Sequence, residues 1–115
     1  MDDKLKEALD LSNFVTTFNN QKRLLWEKYQ DDLLAYVNGH EIKITQELIS
    51  MCESLSRRNN TRTVLIDSNN LPFEVENLET FLENILDQYA QASNKYFTEY
   101  TKLKISRSVE RVVGL

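Results

Sequence analysis

The chain contains few glycine and proline residues, which break helices, and few cysteine and histidine residues, which are common in metal sites and active sites. It has two glycines, one proline, one cysteine and one histidine in 115 residues. Because glycine and proline interrupt helices, their scarcity favours long helices. Cys52 cannot form a disulfide within the chain, and together with His40 it falls short of the usual set of zinc ligands. We therefore expect a helical protein of a reducing compartment, without a metal or other cofactor.

Long apolar runs are also missing. The sequence nowhere reaches the roughly 18 consecutive apolar residues that a transmembrane helix needs, and the charged N-terminus leads into no apolar run of signal-peptide length. We therefore expect no membrane association and predict a cytoplasmic protein.

Recognisable catalytic motifs are absent from the sequence. It contains no glycine-rich phosphate loop, no nucleophile elbow and no metal-binding helix motif. The carboxylates at Asp31-Asp32 and between Glu74 and Glu83 have the spacing of solvated faces, and His40 follows the Asn-Gly pair as a surface turn residue would. We therefore predict that the protein is not an enzyme. The alternative, an enzyme with an unfamiliar active site, would require a defined cleft near His40 or near the hairpin that is predicted below.

The composition is that of a globular domain, with 41% hydrophobic and 28% charged residues. The predicted fold is mainly α (α+β): two long antiparallel amphipathic helices with a short helix and a small β-hairpin element between them. We expect one domain over residues 1–115. Its segments are a long helix at 3–38, a strand, helix and hairpin insertion at 40–76, a long helix at 77–106, and a basic and apolar tail at 107–115.

The insertion shows several local signals. Residues 40–44 alternate polar and apolar side chains like a short strand, and Thr45 is a suitable N-cap for a helix over 46–57. Two runs rich in strand-forming residues, separated by a polar turn, predict a hairpin over 62–75. The strand at 40–44 is expected to add to this hairpin as a third strand.

The second long helix has an apolar stripe with the spacing of a heptad repeat, which predicts a helical hairpin that extends into a coiled-coil bundle between subunits. The stripe comprises Leu78, Leu82, Ile85, Tyr89, Ala92, Tyr96 and Leu103. A first helix of about 36 residues would also exceed the diameter of a small domain, so part of it would project, bend or pair with another chain. Both observations predict a homo-oligomer.

Three aromatic residues are candidates for partner binding. Trp26 follows Leu24 and Leu25, and three consecutive apolar residues cannot share one helix face, so a second contact face is expected there. Trp26 is either a core residue or an interface anchor. Tyrosine is enriched at interfaces, but Tyr89 and Tyr96 belong to the apolar stripe, which leaves Phe97 and Tyr100 as the better interface candidates.

The C-terminal end is basic, although the net charge of the chain is −4. Four cationic residues near this end are candidates for contact with phosphates or with an acidic protein surface: Lys102, Lys104, Arg107 and Arg111. Their alternative role is to complement the dipole at a helix C-terminus. Nucleic-acid binding is therefore the second functional hypothesis, and the acidic body of the protein argues against a larger footprint.

Segments of the C-terminal half carry a resemblance to a group of known proteins. They are residues 81–87 (FLENILD), 96–100 (YFTEY) and 106–110 (SRSVE). In these segments the chain resembles small uncharacterised proteins of T4-like cyanobacterial phages. The resemblance implies a virion or assembly component, or a modulator of a host machine, located in the host cytoplasm or the virion.

Taken together, these features predict a non-enzymatic module for protein–protein interaction or self-assembly. The two long helices would form the scaffold, and the region of Trp26 or the aromatic and basic C-terminal end would contact the partner.

Overall fold

Two long helices flank, in chain order, two β-hairpins and one short helix. This computed structural model describes residues 2–112, with side chains described through residue 108. The elements are α1 (Asp3–Asp32), β1 (Leu34–Val37), β2 (His40–Lys43), α2 (Gln46–Arg57), β3 (Thr63–Ile66), β4 (Pro72–Val75) and α3 (Leu78–Val112). The predicted mainly helical class, with a small inserted β element, is confirmed.

The first helix is shorter than predicted. It ends at Asp32, and the predicted extension to residue 38 is wrong because Leu34–Val37 forms β1, which pairs antiparallel with β2. The residues between these strands, Asn38 and Gly39, have φ values of 51° and 82°. Positive φ at both positions is the geometry of a two-residue hairpin turn. The Asn-Gly pair therefore joins two strands and does not end a helix.

The predicted second hairpin is confirmed, but its predicted third strand is not. β3 and β4 pair antiparallel, and they form a sheet separate from the sheet of β1 and β2. The segment predicted at 40–44 is β2, whose inner edge is already occupied by β1. Its outer edge meets the other hairpin through the Ser68 N–H, which donates to the Glu41 carbonyl at 2.8 Å.

The helix cap predicted at Thr45 is observed, and Asn77 caps α3 in the same way. The Thr45 hydroxyl accepts a hydrogen bond from the Leu48 N–H at 3.1 Å, and the Asn77 side chain accepts one from the Thr80 N–H at 3.1 Å. α3 continues beyond the predicted end at residue 106 to Val112, since no glycine or proline interrupts it before Gly114. The first part of the predicted tail is therefore helical, and residues 113–115 lie outside the described residues.

The chain divides into two compact units, Gln30–Asn94 (the sheet unit) and Met1–Tyr29 with Lys95–Leu115 (the helical unit). Every buried apolar residue of the described chain belongs to the sheet unit. These are Leu33, Ile42, Ile44, Ile49, Cys52, Leu65, Phe73, Val75, Leu78, Phe81, Ile85 and Ala92. Both hairpins, α2 and the first half of α3 thus form one hydrophobic core.

The helical unit is an antiparallel pair of helix segments. Tyr29 stacks on Tyr96, with ring centroids 4.8 Å apart, and the Arg107 Nε–H donates to the Gln21 side-chain oxygen at 2.8 Å. Residues later in α3 therefore meet residues earlier in α1, as an antiparallel pair requires. Within residues 2–29 and 95–108, none of the side chains of this unit is buried. The described part of the pair therefore has ring and hydrogen-bond contacts but no buried core.

Candidate interaction surfaces

Four aromatic side chains form a cluster in the helical unit: Trp26, Tyr29, Tyr96 and Tyr100. The Tyr96 ring lies 5.9 Å from Trp26 and 6.5 Å from Tyr100, in addition to its stacking on Tyr29. Trp26 also lies 5.7 Å from Tyr29. Spacings of three and four residues place each pair of rings on one side of its helix. Trp26 remains 49% exposed, so it packs in the cluster and presents apolar surface at the same time.

Phe97 lies outside this cluster. It is adjacent to Tyr96, which places it roughly 100° around the helix from that residue, and it is 70% exposed. Ile105, about two turns further along α3 and roughly 80° around the helix from Phe97, is 60% exposed. The outer side of α3 thus carries exposed apolar groups, which is the placement that an interface role for Phe97 requires.

A groove runs between the two helix segments of the helical unit. This leucine groove has a volume of about 410 Å³ and is lined by Gln21, Leu24, Leu25, Glu99, Lys102, Leu103 and Ser106. Leu24 is 55% exposed. On the rim, the Lys102 Nζ lies 3.9 Å from a Glu99 carboxylate oxygen. The run of apolar residues at 24–26 was the sequence signal for this second face, but it did not identify the residues contributed by α3.

The three predicted basic residues whose side chains are described, Lys102, Lys104 and Arg107, do not form a single patch. Arg107 bonds to Gln21 and lies over the Phe14 ring, 5.9 Å from its centroid. Lys102 faces Glu99, and the exposed Lys104 lies roughly 200° around the helix from Lys102. The side chain of Arg111 is outside the described residues. Arg107 of α3 therefore links the two helix segments of the helical unit through its bond to Gln21 of α1.

The sheet unit contains a cavity that sequence reasoning missed. It has a volume of about 480 Å³ and lies between β1, the end of β4 and the start of α3. Its floor includes Val75, Phe81 and Ile85, and amide side chains such as Asn77 and Asn84 contribute to its rim. Because the sequence predicts a helix over residues 34–37, it does not predict the strand edge that borders this cavity.

His40 is a structural link and not the surface turn residue that was predicted. Its Nδ1 lies 2.7 Å from the Asp67 carboxylate, and its ring stacks on Phe73 with centroids 4.5 Å apart. Asp67 is 6% exposed and also accepts the N–H groups of Asn69 and Leu71 at 2.8 and 2.9 Å. The hydrogen bond from His40, followed by those from the backbone, lowers the pKa of Asp67. This buried carboxylate therefore joins β2 to the turn of the second hairpin.

Within the described residues, no group of three His, Cys, Asp or Glu side chains has the geometry of a metal site, and no helix combines the length and apolar character needed to span a membrane. No protein-family model, curated protein or solved structure matches the chain. Similarity to known proteins therefore assigns no activity or partner, and the functional proposal depends on the surfaces described above.

Proposed function

We propose that this protein is a non-enzymatic interaction module that self-associates through the leucine groove of its helical unit. The observation that carries this proposal is the lack of a buried side chain in the described part of that unit, although the unit is rich in large apolar residues. Five of them on α1 are between 44% and 55% exposed: Leu5, Leu9, Leu11, Val15 and Leu24.

A helix pair of this kind gains little free energy when it folds as a single copy. Most helical stability in proteins comes from the packing of an apolar face, because nucleation of an isolated helix is unfavourable. Each large apolar side chain that leaves water contributes about 1.5–3 kcal/mol. A second helix pair that covers the exposed leucines would therefore supply the core that one copy lacks.

A second copy of the chain suits the groove because the groove is complementary to itself. It is lined by Leu25 and Leu103 together with the half-exposed Leu24, and its rim carries one carboxylate, Glu99, and one ammonium group, Lys102. A twofold axis brings the same patch of two subunits together. Leu24 of each copy would then enter the groove of the other, and each Glu99 could face the Lys102 of the other copy.

Analytical ultracentrifugation over a range of concentrations tests this proposal. We expect the wild-type chain to dimerise and Leu24→Asp to weaken dimerisation at least tenfold, because a charge in the apolar groove would have no partner (about 1.4 kcal/mol is a factor of ten). Val64→Asp is the matched control, since Val64 is 63% exposed but belongs to the sheet unit. A wild-type chain that stays monomeric, or equal weakening by both variants, would overturn the proposal.

Nucleic-acid binding through the basic C-terminal residues is less well supported, because Arg107 bonds to Gln21 and because Lys102 and Lys104 lie on different sides of α3. Capture of the tagged protein from its native cells, with and without nuclease, separates the two functions. A protein partner retained after nuclease treatment favours an interaction module, and recovery lost with nuclease favours nucleic acid. The phage resemblance extends the proposal to a virion, assembly or host-modulating role, all of which use protein contacts.

A further inference from the structure

Among the described residues, no strand pairs with the outer edge of β1. Ile44 N–H donates to the Leu33 carbonyl at 2.8 Å, and the two-residue turn places Val37 opposite His40 as the closing pair of the hairpin. Hydrogen-bonded and non-hydrogen-bonded pairs alternate along an antiparallel ladder. Residues 33, 35 and 37 therefore bond to β2, and the backbone groups of Leu34 and Tyr36 point away from it.

One of these outward backbone groups, the Leu34 carbonyl, already accepts a hydrogen bond from a side chain. The Gln88 side-chain amide donates to the Leu34 carbonyl at 2.7 Å, taking the place that an N–H of a neighbouring strand would take. The next outward pair, the N–H and C=O of Tyr36, is met by no side chain within the described residues. One residue of an added strand could bond to both groups.

The space beside this edge has the size and lining of a peptide site. The cavity of about 480 Å³ is bordered by residues 35–38 of the hairpin and has an apolar floor. Four residues of strand span about 13 Å, and a strand that binds a sheet edge obtains its specificity from pockets for alternate side chains. The floor at Val75, Phe81 and Ile85 would accept an apolar side chain of such a strand.

The charge around the cavity is negative. Among the residues that line it, the charged one is Glu76. The Tyr36 hydroxyl donates to Glu41 at 3.3 Å, and the negative charge of Glu41, with burial and a smaller effect of Asp31, raises the pKa of Tyr36 above its ordinary value. A cationic side chain would be attracted to this rim.

We infer that the cavity of the sheet unit binds an extended peptide segment as an added strand on β1, with an apolar side chain on the cavity floor and a lysine or arginine near Glu76. This site lies in a different unit from the leucine groove and takes a different partner. Its failure would therefore leave the proposed self-association untouched.

The capped peptide Lys-Val-Lys-Val-Lys is a suitable probe, titrated into the full-length protein while amide shifts and hydrogen exchange are followed by NMR. Binding should shift the amides of residues 35–38 and slow the exchange of the Tyr36 amide. Tyr36→Pro removes the outward N–H but no bond to β2, and proline is tolerated on an edge strand. Tyr36→Ala, which keeps the N–H, is the matched control.

We expect Tyr36→Ala to bind the peptide and Tyr36→Pro to bind it about tenfold more weakly, through the loss of the hydrogen bond that the Tyr36 N–H would donate to the added strand. Equal affinity of the two variants, or a wild-type chain that does not bind the peptide, would overturn the inference. Protection of the Ile42 amide checks that the hairpin of Tyr36→Pro is intact. If that hairpin is lost, Glu76→Lys provides the test. This variant should bind Glu-Val-Glu-Val-Glu more tightly than Lys-Val-Lys-Val-Lys, which reverses the preference of the wild-type chain. An unchanged preference would contradict the proposed site.

Discussion

Replacement of Tyr96 by alanine should open the helical unit while the sheet unit stays folded. Tyr96 is at the centre of the aromatic cluster, with ring contacts to Trp26, Tyr29 and Tyr100. Alanine is the best helix former, so the substitution does not weaken α3 through helix propensity. The expected loss therefore comes from the ring contacts and from the apolar area that they cover.

The size of this loss follows from the geometry. All three centroid distances lie in the range of favourable aromatic pairs, each of which contributes about 0.5–1.5 kcal/mol beyond area burial. Their sum is about 1.5–4.5 kcal/mol, and because pairs that share a residue are not additive, we expect about 3 kcal/mol. A helix pair without a buried side chain has little else to offset such a loss.

Trp26 is the sole tryptophan of the chain, so selectively excited tryptophan fluorescence reports on the helical unit. In Tyr96→Ala the emission should shift to that of a solvated indole before urea is added, with partial loss of helical circular dichroism and with the amide protection of α2 retained. Phe97→Ala is the matched control, because it removes a ring from the next residue, which is 70% exposed. Equal effects of both variants, or simultaneous loss of α2 protection, would refute the reasoning.

Three further predictions concern the sheet unit. Ile85→Ala should lower the free energy of unfolding by about 3 kcal/mol, because Ile85 is 2% exposed, whereas the neighbouring Leu86→Ala, at 36% exposure, should cost about 1 kcal/mol or less in urea denaturation. Burial raises the pKa of the Cys52 thiol, so iodoacetamide should label Cys52 in urea and spare it in the folded protein; labelling of the folded chain at the rate of a free thiol would contradict this placement. The hydrogen bond from His40 lowers the pKa of Asp67 below its ordinary 3.8. The ionised carboxylate therefore stabilises the fold above that pH, and this stabilisation is lost as the pH falls below it. Between neutral and acidic pH, the free energy of unfolding of Asp67→Asn should fall by less than that of the wild-type chain.

The fold was predictable where one local rule decided the outcome. Thr45 and Asn77 are caps because their short polar side chains reach an unpaired backbone N–H, and the hairpin over 62–75 follows from strand-forming residues on both sides of a polar turn. Asn38-Gly39 was ambiguous because the same positive φ ends a helix or closes a two-residue hairpin. The β partner that decides between these outcomes, residues 40–43, lies beyond the turn. The sequence predicts this partner as a strand, but the helical spacing of apolar residues up to Tyr36 favours a helix in the segment with which it pairs.

The candidate surfaces were predictable only in part. The apolar run at 24–26 indicated a second face of the first helix, and the structure places Leu24 on the groove and Trp26 in the aromatic cluster. Arg107 was predicted as a partner contact, but its role in the helix pair depends on Gln21, which lies far away in sequence and belongs to no motif. The peptide site was invisible because it depends on strand pairing, which a single residue pattern does not encode.

The distribution of apolar residues links these surfaces to function. In the sheet unit, side chains such as Ile85 and Phe73 are withdrawn from water, so this unit has what it needs to fold. In the helical unit, residues of the same type, such as Leu24 and Leu9, remain about half exposed. Exposed leucines lower solubility and contribute little to folding, and large exposed apolar patches are typical of interaction sites. The helical unit is therefore the part of the chain whose stability should depend on protein concentration, and dilution should shift Trp26 emission before it changes the amide protection of α2.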